Sequence, residues 1–188
     1  MSELMIQDWP LSYEARLAER PASVIDLVVI HCTELPDMTI AREYGERIQH
    51  PNTQTGNSGH YYIDRDGSIF RFVVDQRVAH HTFEYNLRSI GIELVNLGRY
   101  PYWNDSRHQA FAEPYAPAQI DALLALFRQL RSDHPGLRFI AGHDALDQRR
   151  EASSDDPAIL LRRRLDPGPM FPWDRVIAQG GLQRLQAP

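Results

Sequence analysis

A single cysteine, Cys32, among 188 residues leaves no partner for an intramolecular disulfide and excludes a cysteine-only zinc site. An excess of positive charge is missing too. The formal net charge is −5, and the only dense basic run, Arg162-Arg163-Arg164, follows the acidic pair Asp155-Asp156. Phosphate contacts need a basic face, so the composition speaks against a nucleic-acid partner. No apolar stretch approaches the roughly 20 residues that cross a bilayer, so no membrane span is expected. Met1 to Ser23 carries Glu3, Asp8, Glu14 and Glu19, without a basic region followed by an apolar one, and on that reading the protein is expected in the cytoplasm. Internal repeats and low-complexity segments are also lacking. What remains, 43% hydrophobic and 24% charged residues, suits one soluble domain with a proper core.

The order of elements reads as α/β. Residues 1–23 read as an N-terminal arm, 24–178 as the domain and 179–188 as a C-terminal tail. Val24 to Ile30 is a nearly continuous β-branched run, the pattern of a strand buried on both faces, and it ends at His31. Thr39 to Gln49 predicts a helix capped by Asp37 or Thr39. His60 to Asp64 and Ser68 to Val74 flank Arg65-Asp66-Gly67, a strong hairpin signal. Val78 to His81 predicts a further short strand, and Ser89 to Val95 an internal one. Leu97 to Tyr115 is a long loop carrying Tyr100, Tyr102, Trp103 and Phe111, and loops of this length inside a domain usually serve function. Pro117 to Ser132 predicts the best helix, Phe139 to Gly142 a last strand delivering His143, and Trp173 to Ala178 a terminal helix. Residues 144–165 read as irregular and charged, ahead of the rigid turn Asp166-Pro167-Gly168-Pro169. The whole implies a central mixed β-sheet flanked by α-helices.

His31, His143 and Asp166 stand at the ends of predicted elements, where strand ends converge on one sheet edge. A catalytic zinc takes three such ligands and keeps a fourth position open. Spacing alone leaves the matter open, because the three lie far apart in sequence. The alternatives are a capped strand-end His, a turn His and a helix-capping Asp.

Five ordered blocks decide more than any one of them. Val28-Val29-Ile30-His31-Cys32-Thr33, Gly59 to Gly67, and Ser89-Ile90-Gly91-Ile92-Glu93-Leu94-Val95-Asn96 resemble the type-2 N-acetylmuramoyl-L-alanine amidases, relatives of the peptidoglycan recognition proteins. Ala141-Gly142-His143-Asp144 and Asp166 to Trp173 complete the pattern in the right order. Within that family, Phe111 to Ile120 is similar to the branch that processes muropeptides during wall recycling. The resemblance implies hydrolysis of the amide between N-acetylmuramic acid, in its intact or 1,6-anhydro form, and L-alanine in peptidoglycan fragments.

It further implies Zn2+ held by His31, His143 and Asp166. A His2Asp set leaves the ion net positive charge, which lowers the pKa of water and polarises the scissile carbonyl. Glu93 occupies the acid/base position, taking the proton from the attacking water and handing it to the leaving amine. A solvated sheet-edge Glu is the bland alternative, but alternation places Glu93 with Ser89 and Gly91, opposite Ile90, Ile92 and Leu94. Arg164 stands where the family often has an oxyanion-stabilising lysine. Arginine supplies charge and a donor fork but has no accessible neutral form, so it can stabilise an oxyanion without shuttling protons. The alternative is one solvated member of the arginine run. His81 and Asn86 fall at positions that contact substrate in the family. Gly59 stands where some relatives carry a catalytic tyrosine, which leaves the proton chemistry to Glu93.

Two rival readings belong to other classes. One is a module that binds muropeptide without cutting it; such members typically lack a zinc ligand, whereas all three positions are filled here. The other is a cysteine hydrolase pairing Cys32 with His143. A nucleophilic thiol wants a helix N-terminus or a basic neighbour, and Cys32 sits at a strand end, facing away from His31.

Overall fold

The computed structural model describes residues 4–185. In chain order it contains strand β1 (Ile6–Asp8), strand β2 (Leu27–Cys32), helix α1 (Met38–Gly45), strands β3 (Tyr61–Ile63) and β4 (Ile69–Arg71), and strand β5 (Ser89–Leu94). Helix α2 (Pro117–Asp133), strand β6 (Phe139–Gly142), the single turn α3 (His143–Leu146), strands β7 (Arg150–Ala152) and β8 (Leu160–Arg162), helix α4 (Trp173–Gly180) and strand β9 (Gln183–Arg184) follow. One seven-stranded sheet runs in the order β1-β4-β3-β5-β2-β6-β9, and β7-β8 form a separate hairpin. Within the large sheet the β3–β4 pair is antiparallel and the other pairs are parallel, so the sheet is mixed, as the sequence implied.

Each element has a local cause. All six residues of β2 are buried, which is why the run reads as continuously apolar rather than alternating. The Asp37 carboxylate accepts a hydrogen bond from Ile40 N at 2.8 Å and caps α1. Gly67 adopts φ +88°, the left-handed geometry that the β3–β4 turn requires. Pro117 opens α2, and Ile120, Leu123, Phe127 and Leu130 form its buried stripe. On that side of the sheet, Val28 and Ile30 of β2 and Ile90, Ile92 and Leu94 of β5 pack against α2 and against Val176 of α4. On the other side, Tyr62, Phe72 and Leu11 pack against Met38 and Ala41 of α1.

The structure departs from the sequence expectations at several places, beginning with helix α1, which ends at Gly45 rather than Gln49, and strand β4, which ends at Arg71 rather than Val74. Strand β2 starts later, because residues 22–24 form a helical turn and Asp26 is held by Arg88 at 2.6 and 2.5 Å. It then continues through His31 and Cys32. The stretch Val78 to His81 joins no ladder: β1 already occupies the open edge of β4, and the stretch is tied instead to Ala18 and Ser58. Residues 144–165, expected to be irregular, contain the β7–β8 hairpin. Finally, Ile6–Asp8 of the N-terminal arm and Gln183–Arg184 of the C-terminal tail form the two outer strands of the sheet.

Candidate active site

Register brings the candidate ligands together. In the parallel pair β2–β5, His31 stands opposite Glu93. In the pair β2–β6, Gly142 stands opposite Ile30, so His143 leaves the sheet at the level of His31. Asp166 arrives from the far side of the β7–β8 segment. Its turn is fixed twice: Asp144 N donates to Asp166 O at 2.8 Å, and the Tyr115 hydroxyl donates to Pro167 O at 2.7 Å.

His31 Nδ1 and His143 Nδ1 each lie 3.1 Å from Asp166 Oδ2, and the three donor atoms fall within 4.8 Å of one another. A tetrahedral site with ligand bonds of about 2.0–2.1 Å has edges of about 3.3 Å, so this cluster has the size and the donor set that zinc requires. All three side chains are buried at the base of a cavity of about 610 Å³, which leaves one side of the cluster open to it.

The electrostatics follow from burial and mutual proximity. Burial, reinforced by His143, lowers the His31 pKa to about 4. Burial would raise Asp166, but His143 and His31 outweigh it and hold the carboxylate well below its ordinary range. Burial pushes Glu93 up to about 8, helped by the negative charge of Asp166 and opposed by Arg164. A dication among these ligands would act in the opposite direction and favour the Glu93 carboxylate.

Glu93 Oε1 stands 3.9 Å from His31 Nδ1 and faces the cavity. The space beneath it explains Gly59. A Cβ at Gly59 would lie 2.9 Å from Glu93 Cγ and 3.1 Å from Gly91 O, so no side chain fits there. Tyr62, Glu93's neighbour across the β3–β5 ladder, accepts from Gly59 N at 3.3 Å through its hydroxyl, which lies 3.0 Å from Ser58 Oγ.

Behind His31 runs a chain of donors. Its Nε2 lies 3.0 Å from His81 Nδ1 and 3.3 Å from Thr82 Oγ1. His81 Nε2 lies 3.2 Å from Ser89 Oγ, and the Ser89 hydroxyl donates to Tyr85 O at 2.8 Å. His81 therefore lines the cavity with its ring while both nitrogens are engaged within the protein. Gly91 makes room for it, since a Cβ there would come within 2.6 Å of the His81 ring. Asn86 also borders the cavity, and its side-chain oxygen accepts from His81 N at 3.0 Å and Thr82 N at 2.7 Å.

The arginine run is not uniformly solvated. Arg162 donates to Asp144 O, whereas Arg163 and Arg164 both line the cavity. Arg164 Nε is buried without a hydrogen-bond partner among the described residues. Of the aromatic loop, Trp103 alone reaches the cavity, its indole donating to Glu34 O at 3.1 Å. Phe111 is buried against the turn at Gly168. Cys32 is buried with Sγ 3.5 Å from Asn96 O, and burial pushes its thiol pKa well up, which is the environment of an inert thiol.

Sequence reasoning missed the chain behind His31, the Tyr62–Ser58 pair and a buried ion pair at the rim, in which Arg99 donates to both Glu34 oxygens at 2.7 Å. One signal was present: the Gly of Ser-Ile-Gly-Ile-Glu, an unusual residue inside a buried strand unless something approaches closely.

Among the described residues no helix is long and apolar enough to cross a membrane. The chain is 32% identical over 120 residues to the N-acetylmuramoyl-L-alanine amidase AmiD of Escherichia coli K12. That match takes in 60% of this chain and spans 38% of the length of AmiD. Its fold is similar to that of the amidase LysC from Clostridium intestinale, with a TM-score of 0.68 at 22% identity over 95% of this chain and 99% of that one. It is also similar to AmiD from E. coli in complex with the substrate anhydro-N-acetylmuramic acid-L-Ala-D-γ-Glu-L-Lys, with a TM-score of 0.64 at 25% identity over 88% and 60% of the two chains. The family model described as N-acetylmuramoyl-L-alanine amidase matches residues 21–169, from before the strand that carries His31 to just beyond Asp166, and the chain belongs to that family.

Proposed function

We propose that this chain hydrolyses, in a zinc-dependent manner, the amide between the lactyl group of N-acetylmuramic acid and L-alanine in muropeptides. The 1,6-anhydro tripeptide bound by AmiD is the substrate form we favour. The observation that carries this reading is the convergence of two buried imidazoles and a carboxylate beneath a cavity that also holds Glu93 and Arg164.

His31, His143 and Asp166 would hold the ion through Nδ1, Nδ1 and Oδ2. When bound, zinc lowers the pKa of water and polarises the scissile carbonyl. Glu93 accepts a proton from the attacking water as its oxygen bonds to the lactyl carbonyl carbon. Arg164 donates to the oxyanion that develops there. The C–N bond then breaks, the lactyl group leaves as a carboxylic acid, and Glu93 returns the proton to the departing L-alanine amine. The buried Nε of Arg164, unpartnered among the described residues, supports its role as a donor held ready for an incoming acceptor.

Incubation of anhydro-muropeptide with the protein, followed by mass spectrometry, tests the reading. Release of free peptide that stops with a chelator and resumes with zinc is expected. Intact substrate, or cleavage indifferent to chelator, would reject it.

A further inference from the structure

The hairpin β7–β8 places Arg163 on the cavity wall, next in sequence to Arg164. The Arg163 guanidinium makes no side-chain hydrogen bond to any described residue. Its nearest carboxylate oxygens are Asp147 Oδ2 at 3.7 Å and Glu151 Oε2 at 4.0 Å. Asp147 is already engaged, accepting from Arg149 Nε at 2.8 Å and Nη2 at 2.7 Å, while the Arg149 guanidinium lies over the Phe83 ring at 4.8 Å. Counting Arg149, Arg163 and Arg164 against Asp147 and Glu151 leaves this wall one excess positive charge. Across the cavity Arg99 and Glu34 neutralise each other. A guanidinium with its donor fork open at a cavity wall is suited to a planar anion.

The proposed substrate supplies one. In L-Ala-D-γ-Glu-L-Lys the γ linkage leaves the α-carboxylate of the glutamate free, one residue beyond the alanine whose amine leaves. Arg163 is likewise one residue from the arginine assigned to the reacting carbonyl. Resting on the amidase reading, we propose that Arg163 binds the free α-carboxylate of the second stem residue. The β7–β8 hairpin is then a specificity element that selects anionic stem peptides.

Three muropeptides test this: the parent tripeptide, its analogue with that α-carboxyl amidated (D-isoglutamine), and one amidated only at the C-terminal lysine. The native protein should cleave the parent and the C-terminal amide alike. It should cleave the isoglutamine analogue with kcat/KM about tenfold lower, mostly through KM, the ordinary worth of one charge-assisted hydrogen bond. In Arg163→Gln the three substrates should be cleaved alike, and Arg163→Lys should restore part of the preference. Equal cleavage of all three by the native protein overturns the proposal. So does a preference undiminished in Arg163→Gln, or discrimination that follows the C-terminal amide instead. Failure of the native protein to cleave any of them overturns the amidase reading itself, and the proposal with it.

Discussion

His31 Nε2 and His81 Nδ1 lie 3.0 Å apart, and this contact leaves His31 Nδ1 directed at the cluster it forms with Asp166 and His143. With its proton on Nε2 and donated to His81, His31 presents a lone pair at Nδ1, where the other two candidate ligands converge. His81 can accept only if its own proton sits on Nε2, directed to Ser89 Oγ. Groups that orient a metal-binding imidazole in this way typically contribute about 10–100-fold to metal affinity. His81→Ala should therefore weaken zinc binding by that factor, measured by competition with a chromophoric chelator. Unchanged affinity with a raised KM would instead make His81 a substrate contact.

Glu93 and Arg164 face the same cavity but are given separate tasks. Glu93→Gln should retain zinc and the fold and lose about 10²–10⁴ in kcat, the worth of one positioned proton-transfer group. Arg164→Ala should retain zinc and lose about 10²–10³, the worth of one oxyanion donor. Arg164→Lys should recover much of that loss, since lysine also carries a positive donor. Steady-state rates with metal content measured in parallel are the check. Loss of zinc in Glu93→Gln would make Glu93 a structural residue or a ligand, and full activity in Arg164→Ala would remove Arg164 from the chemistry.

The Glu34–Arg99 pair joins the aromatic loop to the end of β2. Glu34 sits at φ +51°, and both side chains are almost wholly buried. Removing one partner of a buried ion pair leaves an uncompensated charge, a cost of about 3–5 kcal/mol. Arg99→Ala should lower unfolding stability by about that much in urea titration. Replacing both partners with neutral residues should cost less than the single change.

His60 makes stability depend on pH. Its Nδ1 accepts from Gly91 N at 3.0 Å, and its Nε2 faces both the Arg20 guanidinium at 2.8 Å and Arg77 O at 3.1 Å. Burial, reinforced by the nearby Arg20 cation, lowers its pKa from 6.5 to about 3. Below pH 6.5 the unfolded chain binds a proton that the folded protein refuses. The stability linked to this group is thus complete above that pH and declines as pH falls toward 3, by up to about 1.4 kcal/mol per pH unit. His60→Gln should be less stable at pH 7 yet flatter between pH 7 and 5. An equal pH dependence of stability in the two proteins, from urea titrations at each pH, would show that His60 titrates alike in the folded and unfolded states.

Much of this was legible in the sequence because the period of each element is a local property. The buried run of β2, the Asp-Gly hairpin and the stripe of α2 are each read within a dozen residues, and alternation in β5 placed Glu93 on the face opposite Ile92. The bounds of β2 were not legible, because they depend on Arg88 capturing Asp26 from 62 residues away. Nor was the failure of Val78 to His81 to form a strand, since that follows from β1 holding the edge of β4. Long-range pairing also hid the donors behind His31. His81 reads as a substrate contact and Ser89 as an ordinary strand residue until the fold brings His81 Nε2 to 3.2 Å from Ser89 Oγ. The different destinations of Arg162, Arg163 and Arg164 emerge only once the hairpin is in place.

The ligand set spans most of the chain: His31 and Asp166 are 135 residues apart, and even His143 and Asp166 are 23 apart. In small zinc modules the ligands are neighbours in sequence and the ion organises a chain that is otherwise unfolded. Here the donors meet only after β2 has been flanked by β5 and β6, so loop-closure entropy must be overcome before any coordination can reward it. A zinc ion held by these residues would therefore report the completion of folding rather than start it. By mass action it would lock the finished domain, adding about 2.7 kcal/mol when free zinc stands at 100 times its dissociation constant.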